Sequence, residues 1–297
     1  MIAITGANGF VGRTLVRDLL RDRVPGDIRP LVRDERRARV ELGRDDLPLR
    51  VVDVCDPESL RGALDGCTAL VHTVAIPTER RQRFADVNVR GVQNTIAEAE
   101  RAGVRRIVHI SAIGADPASP LPYLRSKGEG QRIVEASGID YVVLRPSLLF
   151  GPGDDFFPRL AFSLKFPLVP VPGDGKARFQ PLHVEDLVRC LRAALSRDDL
   201  RGAYEVGGAE VVTYDELLAE TMTALGIRRP LVHVPVPLVK PGAVAMGLVM
   251  ADPPVTTGQL DLLAVDNVPR PNEIERFGVA PRSLRGGLNY LQPRGAA

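Results

Sequence analysis

Tyr123 and Lys127 stand four residues apart in PYLRSKGEG, residues 122–130. On a helix, positions i and i+4 share a face, so this phenol and this ammonium can serve one reacting atom. A free tyrosine, with its pKa of about 10, is a poor proton carrier at neutral pH. A cation held beside it favours the phenolate and brings that pKa down. Lysine suits the task because its compact charge can also bond hydroxyls. It is scarce here: only four of the 39 basic residues are lysine, so its use at 127 is informative. Ser111 closes the apolar run RRIVHIS, twelve residues before Tyr123. A hydroxyl there can orient a substrate oxygen. Together the three residues fit proton exchange at a carbonyl or hydroxyl oxygen. The plainer alternative is a pair on a helix surface and a serine that caps a turn.

Such chemistry needs a hydride carrier, and TGANGFVG, residues 5–12, offers a place for one. Gly6 suits a tight turn with positive φ. Gly9 lets the backbone approach a pyrophosphate, and Gly12 lets the following helix pack close. Asn8, Phe10 and Val11 complete the loop. The helix start presents free N–H groups and a partial positive charge to phosphate. A cation at the tip of the second strand accommodates a 2′-phosphate, whereas an acid there bonds a ribose hydroxyl. The tip reads LVRDERR. Arg33 leaves the strand and Arg13 follows the third glycine, and two guanidiniums suit a phosphate dianion. NADP(H) is the expected cofactor. Asp34 keeps NAD(H) open, since a strand one residue longer would put an acid at the tip.

The elements that must position these groups alternate. Strands are expected at 2–5, 28–32, 49–54, 69–75, 105–111 and 141–146. Helices are expected at 10–20, near 57–64, at 84–103 and at 122–138, the last two closed by Gly103 and Gly138. Short, β-branched, apolar strands fit a parallel sheet buried on both faces. The expected fold class is α/β, a doubly wound parallel sheet of Rossmann type with a small C-terminal α/β lobe. Residues 1–155 form the dinucleotide-binding core. Residues 156–297, with helices at 184–195 and 213–225 and a strand near 203–206, complete the sheet and form the lobe.

At this point the chain resembles an extended or atypical short-chain dehydrogenase/reductase. The matching residues are TGANGFVG (5–12), Asp53, HTVA (72–75), DVNVRGVQN (86–94), HIS (109–111), YLRSK (123–127) and LRPSLLFGPG (144–153). VPGDGKARFQPLHVEDLV (171–188) and LDLLAVDNV (260–268) resemble a narrower, epimerase/dehydratase-like branch. That branch includes the NDUFA-nine-like accessory subunit of respiratory complex I and its bacterial relatives. The resemblance implies Tyr123 as acid/base, Lys127 as ribose ligand and tuner of Tyr123, and Ser111 as polariser of the substrate oxygen. It implies Asn88 as support for the helix and a relay water. Asp53 and Val54 would flank adenine, Thr73, Val74 and Ala75 would line the dinucleotide, and Pro146 and Ser147 would lie near the nicotinamide. Sugar epimerases carry a Ser-Ser or Ser-Thr pair where this chain has Ser111-Ala112, which speaks against a nucleotide sugar. The resemblance also implies a second reading, a non-catalytic NAD(P)-binding accessory or assembly protein.

Composition removes other classes. A net charge of +2 gives no field for nucleic acid. Three scattered cysteines and no basic, apolar leader fit a cytoplasmic protein. Four dispersed histidines give no metal site. His183 is expected to cap or pack as readily as to face substrate. Lys176 and Arg178 are expected on a solvated hairpin, with an anionic substrate as the alternative. The apolar stretch 231–250 is expected in the lobe's core, with a protein partner, a quinone or a membrane surface as the alternatives.

Overall fold

The structure is a computed structural model and describes residues 1–241 and 256–292. Its first half alternates strand and helix as the apolar runs require. The order is β1 (Ile2–Thr5), α1 (Phe10–Leu19), β2 (Ile28–Val32), α2 (Glu35–Leu42), β3 (Arg50–Val51), α3 (Pro57–Leu60) and β4 (Ala69–His72). Then come α4 (Gly91–Arg101), β5 (Arg106–Ile110), α5 (Pro122–Ala136) and β6 (Asp140–Pro146). The second half adds β7 (Leu149–Phe150), α6 (Phe156–Ser163), β8 (Val169–Pro172), β9 (Arg178–Phe179) and β10 (Leu182–His183). It ends in α7 (Val184–Ser196), β11 (Gly202–Val206), β12 (Val212–Thr213), α8 (Tyr214–Leu225), β13 (Leu231–Val234) and a helix at Thr257–Leu263.

Seven strands form one parallel sheet in the order β11-β6-β5-β4-β1-β2-β3. The order reverses at β1, whose two neighbours are β2 and β4, and ligands bind such sheets at that switch point. Successive residues of a strand face opposite sides. Ile4, Val71, Val108 and Val142 therefore pack with α1 and α7 residues, while Ala3, Leu70, Ile107 and Val143 pack with α4 and α5 residues. β11 belongs to this sheet although it comes from the second half of the chain. A third apolar cluster, including Phe150, Phe157, Val171, Tyr214 and Leu217, is the core of the lobe.

Several boundaries differ from the expected ones. β3 holds only Arg50–Val51, so Asp53 lies two residues beyond it. β4 stops at His72, because Thr73 turns away to hydrogen-bond Thr5. The helix expected at 84–103 begins as a π-helical turn, Ala85–Arg90, before continuing as α4. Gly103 and Gly138 have φ of 70° and 71°, left-handed values that end the helices before them.

Candidate active site

The dinucleotide loop is shaped by what it lacks. Gly6 has φ 63°, and a Cβ there would lie 2.9 Å from Thr73 Oγ1. A Cβ on Gly12 would lie 2.1 Å from the Gly6 carbonyl oxygen. Gly9 is the N-cap of α1 in an extended conformation, no side chain caps the helix, and the first turn carries no acid. The first N–H groups of a helix have no intrahelical partner, so Phe10, Val11 and Gly12 offer donors at a positive helix end. This cradle fits a pyrophosphate. Asn8 fixes the loop by donating to Glu41 Oε2 at 2.7 Å.

The structure fixes where the second strand ends. β2 ends at Val32, so Arg33 is the first residue past it, exposed, donating to Gln82 Oε1 at 3.0 Å. Asp34 is committed as N-cap of α2, where its carboxylate accepts the Arg37 N–H at 3.0 Å. Arg13 corrects the expectation of two guanidiniums at one phosphate. Its Nη2 donates to the carbonyls of Gly153 at 2.9 Å and Pro152 at 3.4 Å, in the loop between β7 and α6. Gly153 has φ 91° and yields the space that Arg13 fills. Asp53 accepts the Cys55 N–H at 2.9 Å, and Val54 packs where Gly91 leaves room. Thr73 is stitched to Thr5 at the end of β4, with Val74 following beside Gly6 and Ala75 next in the chain.

Lys127 reaches the C-terminal end of β5, where Ser111 follows, and Tyr123 lies one turn earlier on α5. A Cβ on Gly128 would lie 2.4 Å from the Asp116 carbonyl carbon, and one on Gly130 2.5 Å from the Asn88 carbonyl oxygen. α5 is therefore clamped between the loop after β5 and the π-helical turn. Such turns recur at functional sites. Asn88 uses both ends of its amide. Oδ1 accepts the Ile76 N–H at 2.9 Å, while Nδ2 donates to the Ile76 carbonyl at 3.1 Å and to Ser126 Oγ at 3.0 Å. Ser126 in turn donates to the Tyr123 carbonyl at 2.8 Å. In this structure Asn88 thus braces the first turn of α5.

Lys127 is buried, and Nζ donates to the Ile110 carbonyl at 2.6 Å, one residue before Ser111. Burial pulls its pKa down to about 8. Tyr123 is half-buried with its ring 5.9 Å from that of Phe84. Burial pushes its phenol up to about 12. The lowering expected from Lys127 is not found here, because the ammonium is directed at the Ile110 carbonyl. Ser111 Oγ is buried without a hydrogen-bond partner. Leaving such a group unpaired costs about 1–3 kcal/mol.

Two neighbouring histidines were not singled out from the sequence, although HTVA and HIS contain them. His72 and His109 are register partners on β4 and β5, fully buried, with rings stacked at 5.4 Å. His72 Nδ1 meets Thr5 Oγ1 at 3.1 Å, while His72 Nε2 and both His109 nitrogens have no partner. Burial first and the Lys127 ammonium second lower both, His72 to about 3. They stay neutral and form an uncharged floor near Lys127.

Pro146 ends β6, and its carbonyl accepts the Ile113 N–H at 3.3 Å. The Ser147 hydroxyl is bonded within the protein. Its Oγ lies 2.7 Å from the Asn267 carbonyl and 2.8 Å from Asn267 Oδ1, and it accepts the Gln180 N–H at 3.2 Å. Asn267 also takes the Leu148 N–H at 2.8 Å and so fastens the segment 256–268 to the end of β6. LDLLAVDNV carries part of the family resemblance, but nothing in its pattern marks Asn267. Arg178 is held by Asp266 at 2.6 Å, while Lys176 is exposed. His183 is the N-cap of α7, its Nδ1 accepting the Glu185 N–H at 3.2 Å. Among the described residues no cluster could hold a metal ion.

The glycine loop and the switch point define a dinucleotide-binding α/β protein of Rossmann type. Residues 6–154 match the family described as NAD(P)H-binding, and the chain belongs to that family. A ceramide reductase of Caulobacter vibrioides is 30% identical, over 80% of this chain and 74% of that protein. NADH dehydrogenase (ubiquinone) 1 alpha subcomplex subunit 9, mitochondrial, of Arabidopsis thaliana is 26% identical, over 95% of this chain and 75% of that protein. An NADPH-dependent quinone oxidoreductase of Escherichia coli, solved with NADPH, superposes with a TM-score of 0.77 at 22% identity, covering 98% and 99% of the two chains.

Proposed function

We propose that the protein is an NADP(H)-dependent oxidoreductase, or an epimerase or dehydratase using transient oxidation, acting on a carbonyl or hydroxyl carbon of a small molecule. The observation that carries this reading is Ser111 Oγ, buried and unpaired one residue beyond the carbonyl that holds Lys127. A substrate oxygen is the partner it lacks. Bound NADPH supplies hydride to the carbon. Ser111 donates to the oxygen and orients it, and Tyr123 passes its hydroxyl proton to that oxygen as the negative charge develops. A phenol held near 12 is fully protonated at neutral pH, which suits it as the acid in reduction. Asn88, through Ser126, positions Tyr123, and the Lys127 ammonium can bond a ribose hydroxyl.

Arg33 supports NADP(H) over NAD(H), since Asp34 is spent on the α2 cap. An uncharged, apolar substrate fits best. Arg178 is paired with Asp266 and so is withdrawn from any diphosphate, and one relative reduces a ceramide by name. The test is consumption of NADPH with quinones and keto-lipids. Tyr123→Phe is expected to abolish turnover and leave NADPH binding intact, and unchanged turnover would overturn the mechanism. The second reading, an NAD(P)-binding accessory or assembly protein, is favoured by the likeness to the Arabidopsis subunit along 95% of the chain. Its signature is a co-purifying partner with no turnover in wild type or Tyr123→Phe.

A further inference from the structure

One face of the lobe departs from the rest of the protein in composition. Residues 156–173 and 226–241 contain no Asp or Glu. With 37 acids in 297 residues, these 34 positions would ordinarily carry about four. They keep five cations: Arg159, Lys165, Arg228, Arg229 and Lys240. The fold places the two segments side by side. β8 and β13 pair in parallel, with Val169↔Leu231 and Pro170↔Val232, and Val169 N–H donates to the Pro230 carbonyl at 3.1 Å.

The same face shows large apolar side chains to solvent. Leu168 is 58% exposed, Phe166 53%, Phe162 44% and Val232 43%. Phe162 and Phe166 touch edge to face at 6.1 Å, and Lys165 Nζ lies 5.3 Å over the Phe162 ring. Lys165, Phe166, Pro167 and Leu168 form a continuous exposed run between α6 and β8. Two acids from neighbouring elements approach, and both are engaged: Asp215 with His233 and Asp261 with Lys240. Exposed apolar residues gathered on one face mark an interaction site rather than scattered surface. Among the described residues no helix is long and apolar enough to cross a membrane.

We propose that this face docks on an anionic lipid surface, with Phe166 and Leu168 entering the headgroup layer and Lys165, Arg228 and Arg229 facing lipid charge. The complementarity is specific in sign, because the face has discarded acids while keeping cations. A soluble protein partner would be met by mixed charge, which this face lacks. Apolar burial and attraction to anionic headgroups add in such docking. The proposal extends the alternative weighed for 231–250 to the loop 165–168. Residues 242–250 of that stretch lie outside the described residues and form no part of the proposed face. It stands whether or not the protein is an oxidoreductase.

The test is flotation of the full chain with vesicles of phosphatidylcholine alone, and of phosphatidylcholine with one-third phosphatidylglycerol. Wild type is expected to float with the anionic vesicles only, and to be released by salt. Phe166→Ser with Leu168→Ser is expected to weaken partitioning about tenfold or more. Lys165→Glu is expected to weaken it at least about fivefold, the worth of one cation near such a surface. Calorimetric titration with NADPH, unchanged in these variants, shows that the fold and the cofactor site persist. Three results would overturn the proposal: wild type that floats with neither vesicle, variants that float as well as wild type, or a wild-type dimer in sedimentation that the same substitutions dissociate.

Discussion

Replacing Lys127 by methionine should make the protein more stable and less active. The buried ammonium has its pKa pulled from 10.5 to about 8. At about 1.4 kcal/mol per pH unit, keeping it charged at pH 7 costs the folded state about 3 kcal/mol. Methionine removes that cost with a side chain of similar length. It also forfeits the bond to the Ile110 carbonyl, worth about 1 kcal/mol. The net gain is about 2 kcal/mol at pH 7, or a Tm higher by roughly 3 °C. The pH dependence identifies the cause. Lys127 has a folded pKa below its unfolded one, so between pH 8 and 10.5 the unfolded chain binds more protons there. Wild-type stability therefore rises with pH in that window relative to the variant, and the gap closes. Guanidinium unfolding of both proteins at pH 7, 9 and 10.5 measures it, other titrations cancelling in the difference. Turnover should fall at least about a hundredfold, the stability and activity of this position being opposed. A variant less stable at pH 7, with a gap that does not change with pH, would refute the reasoning.

Gly12→Ala should abolish NADPH binding, because its Cβ would sit 2.1 Å from the Gly6 carbonyl oxygen. Calorimetry reads this, and near wild-type affinity would contradict the loop assignment. Arg33→Ala should erase a preference for NADPH over NADH, whereas Arg13→Ala should leave it, since Arg13 bonds the carbonyls of Pro152 and Gly153. Equal losses in both variants would return Arg13 to the phosphate site. With the Tyr123 phenol at about 12, the rate of reduction should be flat from pH 6 to 8 and the rate of oxidation should climb with pH. A reduction rate that falls across that range would point to another acid. Asn267→Ala should lower stability by about 1 kcal/mol in denaturant melts, since it unpairs the Leu148 N–H while the Ser147 hydroxyl keeps the Asn267 backbone carbonyl. A change under about 0.5 kcal/mol would show that solvent replaces it.

What could be read from the residues was local in origin. Glycines at 6, 9 and 12 between an apolar run and an amphipathic one can hardly build anything but a β1–α1 phosphate loop. The period of the apolar residues placed β2, β6, α5, α7 and α8 within a residue or two. The misses are tertiary. LRVVDV looks like a six-residue strand, yet only Arg50–Val51 find a partner at the sheet's edge. The π-helical turn at Ala85–Arg90 reflects the demands of Asn88 on Ile76 and Ser126, which no helical periodicity reports. Arg13 was assigned by its distance along the chain from the glycines, and the loop it reaches lies about 140 residues later. The His72–His109 stack depends on strand register, and the sequence shows only two ordinary histidines.

The outer wall of the sheet has a further consequence, for the order of synthesis. β6 pairs with β5 on one side and β11 on the other. The Arg106 guanidinium is gripped by the carbonyls of Ala194, Arg197 and Leu200, 88 to 94 residues further on. A chain emerging from the ribosome completes β6 at Pro146 and gains β11 only at Val206. At about 5–20 residues per second, its free edge waits several seconds for a partner. An uncovered strand of DYVVLRP is a template for pairing with another chain. The cofactor loop is made well before the residues that close its sheet, so this interval is when the nascent protein has most need of a chaperone.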